Sequence, residues 1–140
     1  VWENKTRILK HSTELLTTQT GLKSYTEVSC KIKITNTKNP AFIVLGFSSK
    51  PIHVAKGFLG GDLGTGNWGL AGNGALGEEG KWKKGDTFKS GDIVTLEFSS
   101  KIIRYYINGR ENGYSFKFSG DKVYIACSLF YAGDTIEILS

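Results

Sequence analysis

The chain has 140 residues, 39% of them hydrophobic and 22% charged, with a formal net charge of +5. One domain of that length buries a core without metal or disulfide support, and the composition excludes a disordered tail. No apolar run approaches the roughly 18 residues of a membrane helix, and the lysines are scattered rather than gathered into the stripe a nucleic-acid partner requires.

The chain starts at Val1 and contains no Met, so residues 1–140 are expected to be a single domain excised from a longer protein. Val1-Trp2-Glu3-Asn4-Lys5 lacks the apolar stretch of a signal peptide. Asn4-Lys5-Thr6 is a glycosylation triplet of the kind chance supplies. From Tyr25 to Ile34 the residues alternate, with Val28, Cys30, Ile32 and Ile34 on one side and Glu27, Ser29, Lys31 and Lys33 on the other. That is a strand with one face on a core and one in water. Asn36-Thr37-Lys38-Asn39-Pro40 breaks it, and Ala41 to Phe47 is continuously apolar, as for a strand covered on both faces.

Gly57 to Gly80 holds ten glycines in 24 residues. Glycine costs backbone entropy and packs no side chain, so loops joined by at most short strands are expected there. Strand patterns resume beyond it. Ile93 to Phe98 alternates, Ile102 to Ile107 pairs back across Ser99-Ser100-Lys101, and Asn108-Gly109 signals a type I′ hairpin turn. Val123 to Leu129 and Thr135 to Leu139 close the chain around a turn at Ala132-Gly133-Asp134. No window sustains a 3.6-residue period, so the fold class is all-β, an antiparallel sandwich.

Catalytic chemistry finds little support. Gly64-Thr65-Gly66-Asn67-Trp68-Gly69 has the dinucleotide-binding spacing, but Leu70-Ala71-Gly72-Asn73-Gly74 cannot form the helix that motif needs. The two histidines, His11 and His53, have no nucleophile or carboxylate at a telling spacing. Two His and two Cys far apart in sequence do not suggest zinc, and no cofactor or metal is expected. Asp62, Asp86, Asp92 and Asp134 each follow a Gly, which is turn chemistry. Glu78-Glu79 does not fit the strand-borne carboxylate pair of a sandwich glycosidase. Cys30 and Cys127 both fall on the apolar side of their strands, where they read as buried thiols. A disulfide between them, which would mean an oxidising compartment, stays open.

The binding candidates are therefore aromatic and basic. Trp68 lies in the glycine-rich stretch, and Trp82 sits within Lys81-Trp82-Lys83-Lys84. Tryptophan is enriched at binding hot spots because it buries a large rigid area at low entropy cost. The competing reading makes each a core plug, and the lysines beside Trp82 favour its exposure. Asn67, Trp68, Asn73, Lys81, Trp82, Lys83 and Lys84 form the candidate ligand-binding set, with an acidic peptide as the partner the lysines suit.

Several elements recur in a fixed order: Tyr25-Thr26-Glu27-Val28, Val44-Leu45-Gly46-Phe47, Asn67-Trp68-Gly69, Gly91-Asp92-Ile93-Val94, Tyr105-Tyr106-Ile107-Asn108-Gly109 and Gly113-Tyr114-Ser115-Phe116. Together with the final pair of strands they resemble the SPRY domain family. The resemblance implies a concanavalin-A-like two-layer sandwich without enzymatic activity. It implies a protein or peptide partner bound through inter-strand loops and an adaptor or scaffold role, often near ubiquitin-ligase modules. The buried-thiol reading of the cysteines and the missing signal-peptide stretch lead to an expected intracellular, cytoplasmic location, and the lack of a long apolar run to no expected membrane partner. A lectin-like sugar site at Asn67, Trp68 and Asn73 is the alternative, and nucleic-acid binding through Lys81 to Lys84 a more distant one.

Overall fold

A computed structural model describes residues 8–61, 63 and 66–139. The glycosylation triplet, Asp62 and the Gly64-Thr65 part of the glycine motif lie outside the described residues. Among the described residues the chain forms twelve strands: β1 (Ile8–Lys10), β2 (Thr17–Tyr25), β3 (Val28–Asn36), β4 (Val44–Ser48), β5 (Asn67–Ala71), β6 (Ala75–Glu78), β7 (Lys81–Lys84), β8 (Ile93–Ser99), β9 (Ile102–Ile107), β10 (Arg110–Lys117), β11 (Val123–Leu129) and β12 (Thr135–Ile138). They make two antiparallel sheets, ordered β1-β12-β3-β8-β9-β10 and β2-β11-β4-β5-β6-β7.

The period-2 pattern decides which side chains meet between the sheets. Cys30, Ile32 and Ile34 of β3, Val94, Leu96 and Phe98 of β8, and Ile103, Tyr105 and Ile107 of β9 face inward from the first sheet. Leu45 and Phe47 of β4, Trp68 and Leu70 of β5, and Val123, Ile125, Cys127 and Leu129 of β11 meet them from the second. Phe118 joins the layers edge-on, with ring centroids 5.0 Å from Trp68 and 5.5 Å from Phe98. Cys30 and Cys127 are buried and form no disulfide.

The strand read from Tyr25 to Ile34 is in fact two. Tyr25 ends β2, and β3 begins at Val28. β2 escapes a hydrophobic search because its buried residues include Thr18 and Thr20. Their hydroxyls are satisfied: Thr18 Oγ1 lies 2.6 Å from Ser128 Oγ, and Thr20 Oγ1 accepts from Ile52 N at 2.9 Å. A buried hydroxyl with partners carries no large penalty.

The glycine-rich stretch carries short strands between its loops, as expected: β5 with five residues and the whole of β6 with four. Both pay off as strands because each is packed on two sides. The inner side faces the core, and the outer side lies under a strap of chain, residues 50–61. That strap crosses the whole second sheet. Ala55 and Thr18 exchange backbone hydrogen bonds of 2.8 and 2.9 Å at the β2 edge. Leu59 N donates to Ser128 Oγ of β11 at 2.9 Å, and Gly80 N donates to Gly60 O at 3.0 Å beyond β6. A methyl on Gly69 would sit 2.4 Å from Val44 Cγ1, and one on Gly77 would sit 2.7 Å from Gly60 O. These glycines serve close backbone approach rather than flexibility.

Candidate functional site

The seven residues singled out from the sequence separate into three groups. Asn67 and Trp68 are 2% and 3% exposed and present no surface to a ligand. Asn67 Oδ1 accepts from Gly60 N and so holds the strap, while Trp68 Nε1 donates to Glu78 Oε2 at 3.1 Å. Both are packing residues, which also removes two of the three positions a sugar site would use. Lys81 and Lys83 alternate to the opposite face of β7 from Trp82 and Lys84. Lys83 Nζ stands 5.2 Å over the Tyr114 ring and 5.8 Å over Phe116, bridging to β10 of the other sheet. Trp82, Lys84 and Asn73 do come together, with Lys84 Nζ donating to Asn73 O. They lie on a strand edge and its neighbouring turn rather than in a long loop.

A stronger surface lies beside them, at the corner where the strap meets the β3–β4 and β11–β12 connections. Phe42 is the hub of four partly buried rings, with centroids 6.1 Å from Phe58, 5.3 Å from Phe130 and 5.5 Å from Tyr131. Phe130 and Tyr131 are themselves 5.0 Å apart. Lys38 Nζ sits 5.2 Å over the Tyr131 ring, close enough for a cation–π attraction.

Short-range hydrogen bonds set this geometry. Asn39 Oδ1 accepts from Ala41 N at 3.1 Å and caps the 3-10 turn Pro40–Phe42 that carries Phe42. Asp134 is 1% exposed, and its carboxylate accepts from Lys38 N at 2.9 Å and Thr37 Oγ1 at 3.0 Å. The two connections are thereby tied together, and Lys38 is held over Tyr131. Asp92 works the same way at its own turn, accepting from Lys89 N at 2.9 Å and Asn108 Nδ2 at 3.0 Å. The turn reading of these Gly-Asp pairs fits this geometry better than paired-carboxylate chemistry.

Sequence reasoning passed over Lys38, Phe42, Phe58, Phe130 and Tyr131. One signal was present: Phe130-Tyr131 extends an apolar run beyond Leu129 directly into a Gly-Asp turn. Consecutive aromatics at a strand end cannot both enter the core, so at least one must face outward. Phe42 and Phe58 gave no comparable signal, because only the strap brings them together.

The two sheets thus pack as one sandwich, with aromatic residues gathered where its connections meet. The sequence matches the family model of the SPRY domain over residues 23–139, and the chain belongs to that family. SPRY domains are typically protein-interaction modules and generally non-catalytic. No curated protein matches the sequence significantly. Among solved structures, the fold is similar to the SPRY domain of human HERC1, with TM-score 0.80 and 20% identity over 99% of this chain and 90% of that one. A human SPRY domain aligns with TM-score 0.75 and 13% identity over 94% of this chain and 90% of that one. The TRIM65 PSpry domain aligns with TM-score 0.72 and 14% identity over 100% of this chain and 85% of that one.

Proposed function

We propose that this domain binds a peptide segment of a partner protein at the corner formed by Phe42, Phe58, Phe130 and Tyr131, with Lys38 at its rim. The observation that carries the reading is the contact of four rings, none fully buried, at a place fixed by the Asp134 hydrogen bonds. Phenylalanine and tyrosine are enriched at protein interfaces, and tyrosine also at hot spots, and a surface already in its bound shape avoids the ordering cost of binding. Family membership supports an adaptor or scaffold role, in which the domain brings its partner to a larger assembly. The buried thiols, which form no disulfide, support an intracellular setting.

The test is affinity capture with the wild-type domain and a Tyr131→Ala variant checked for folding by circular dichroism, read by mass spectrometry. Tyr131 is only partly buried, so the variant is expected to fold. Partners retained by the wild type should be lost, through a fall in affinity of roughly tenfold or more for a hot-spot aromatic. Equal retention by the two proteins would remove the corner from consideration. Elution by free sugars alone would replace the peptide reading with a lectin.

A further inference from the structure

We infer that the depression beside Trp82 is a second anchor subsite of this surface, taking an aliphatic side chain from an extended peptide that carries a carboxylate close by. The inference rests on the corner being a peptide site, and it extends that site to a neighbouring depression that shares Phe58 with it.

Trp82 is 46% exposed on the edge strand β7, yet its ring is fixed. It lies on the backbones of Gly61 and Gly77: a methyl at Gly61 would sit 2.5 Å from Cζ2, and one at Gly77 would sit 2.7 Å from Cζ3. A large apolar ring held in place while half in water gains free energy from being covered, and its rigidity means that little is lost in ordering it. The ring walls a depression of about 210 Å³ lined by Ala41, Val44, Phe58, Ala71, Asn73 and Ala75. Its small, alanine-rich lining keeps the space open. That volume is below the roughly 300–1,000 Å³ usual for small-molecule pockets and suits a single side chain of a larger partner.

Phe58 connects the depression to the corner, lining the one and contacting Phe42 in the other. The result is one apolar track with a cation near each end: Lys38 over Tyr131, and Lys84 with its Nζ on Asn73 O. Among the described residues, no carboxylate lines the depression. In a protein of net charge +5, this arrangement is complementary to an apolar peptide with an acidic residue beside its anchor.

The test uses the 140-residue chain and a phage-displayed random-peptide library, with selected peptides measured by fluorescence anisotropy. Two variants probe the subsite: Trp82→Ala removes the wall, and Ala75→Arg fills the space with the ring in place. Wild-type selections should show an aliphatic position adjoining an acidic one. Both variants should weaken binding by roughly tenfold and flatten the aliphatic preference, and Lys84→Glu should erase the acidic preference alone. Unchanged affinity and preference in both variants, with Tyr131→Ala still abolishing binding, would overturn the second subsite and leave the corner intact. Binding indifferent to Tyr131→Ala would instead overturn the corner. Dimerisation in sedimentation that Ala75→Arg abolishes would identify the occupant as a second copy of this chain, and the peptide assignment would fall.

Discussion

Asp134 is placed where one side chain controls the candidate site. Its two acceptor contacts, to Lys38 N and Thr37 Oγ1, join connections that lie almost a hundred positions apart in sequence, and burial strengthens both. Asp134→Ala would leave a buried backbone N–H and a hydroxyl unpaired. Its cost should be ~3 kcal/mol, within the range for hydrogen bonds to a charged group and the penalty for orphaned donors. Asp134→Asn keeps one carbonyl acceptor for Lys38 N and should recover part of that loss. Urea denaturation measures both, and peptide affinity should follow the same order, because Lys38 loses its position over Tyr131. Equal stability of the alanine variant and the wild type would mean that water replaces the carboxylate at no cost. At this scale the sequence was only partly legible. A tryptophan beside lysines read correctly as exposed, and Trp82 is. Trp68 could not be assigned from its neighbours, because what buries it is Phe118, fifty residues away, together with a hydrogen bond to Glu78.

Two hairpin turns of the first sheet solve one geometric problem with different residues. Asn108-Gly109 joins β9 to β10 with φ of 52° and 83°, the positive values a two-residue type I′ turn requires. Ser100-Lys101 joins β8 to β9 with φ of 52° and 60°, and neither residue is a glycine. The left-handed region costs an ordinary residue about 1 kcal/mol or more. Replacing Ser100-Lys101 with Asn-Gly should therefore stabilise the domain by about 1 kcal/mol, seen as a higher urea midpoint with an unchanged slope. The replacement forfeits the Lys101–Asp121 ion pair at 3.3 Å, which is solvent-exposed and worth little. A lower midpoint would show that this pair outweighs the turn strain. Asn-Gly was recognisable in the sequence because its chemistry is local, as were the alternating strands β8, β9, β11 and β12. β2 was not, nor were the places of the short strands within the glycine-rich stretch. Their stability comes from the strap across the second sheet, whose hydroxyl and backbone partners are distant in sequence and leave no periodicity behind.

The whole molecule couples its stability to alkaline pH through groups that the sandwich closes off from water. Burial pushes the Cys127 thiol up to about 12 from an ordinary 9.0. Tyr105 is raised above its ordinary 10.0 by burial first and by the nearby Glu78 second. Both are acids that must stay protonated in the folded state. Between the unfolded and folded pKa values the unfolded chain has released a proton that the native chain retains. Fewer protons are then bound in the unfolded state, and stability falls as pH rises. Well below pH 9 neither group contributes a slope; Cys127 adds a loss approaching about 1.4 kcal/mol per pH unit above about pH 9, and Tyr105 adds its own above about pH 10. Urea midpoints measured from about pH 8 to pH 11 should therefore be flat at first and then fall. Cys127→Ala should be less stable at neutral pH, because a buried sulfur is lost, yet its decline above about pH 9 should be shallower by close to one proton. The wild-type thiol should also react with a disulfide reagent only as fast as the domain unfolds, since the thiolate is the nucleophile and the closed sandwich withholds it. A midpoint that stays level to about pH 11, or rapid reaction of native Cys127, would mean that water reaches the layer between the sheets. The sandwich would then open without unfolding, and the preformed shape on which the aromatic corner depends would fail along with it.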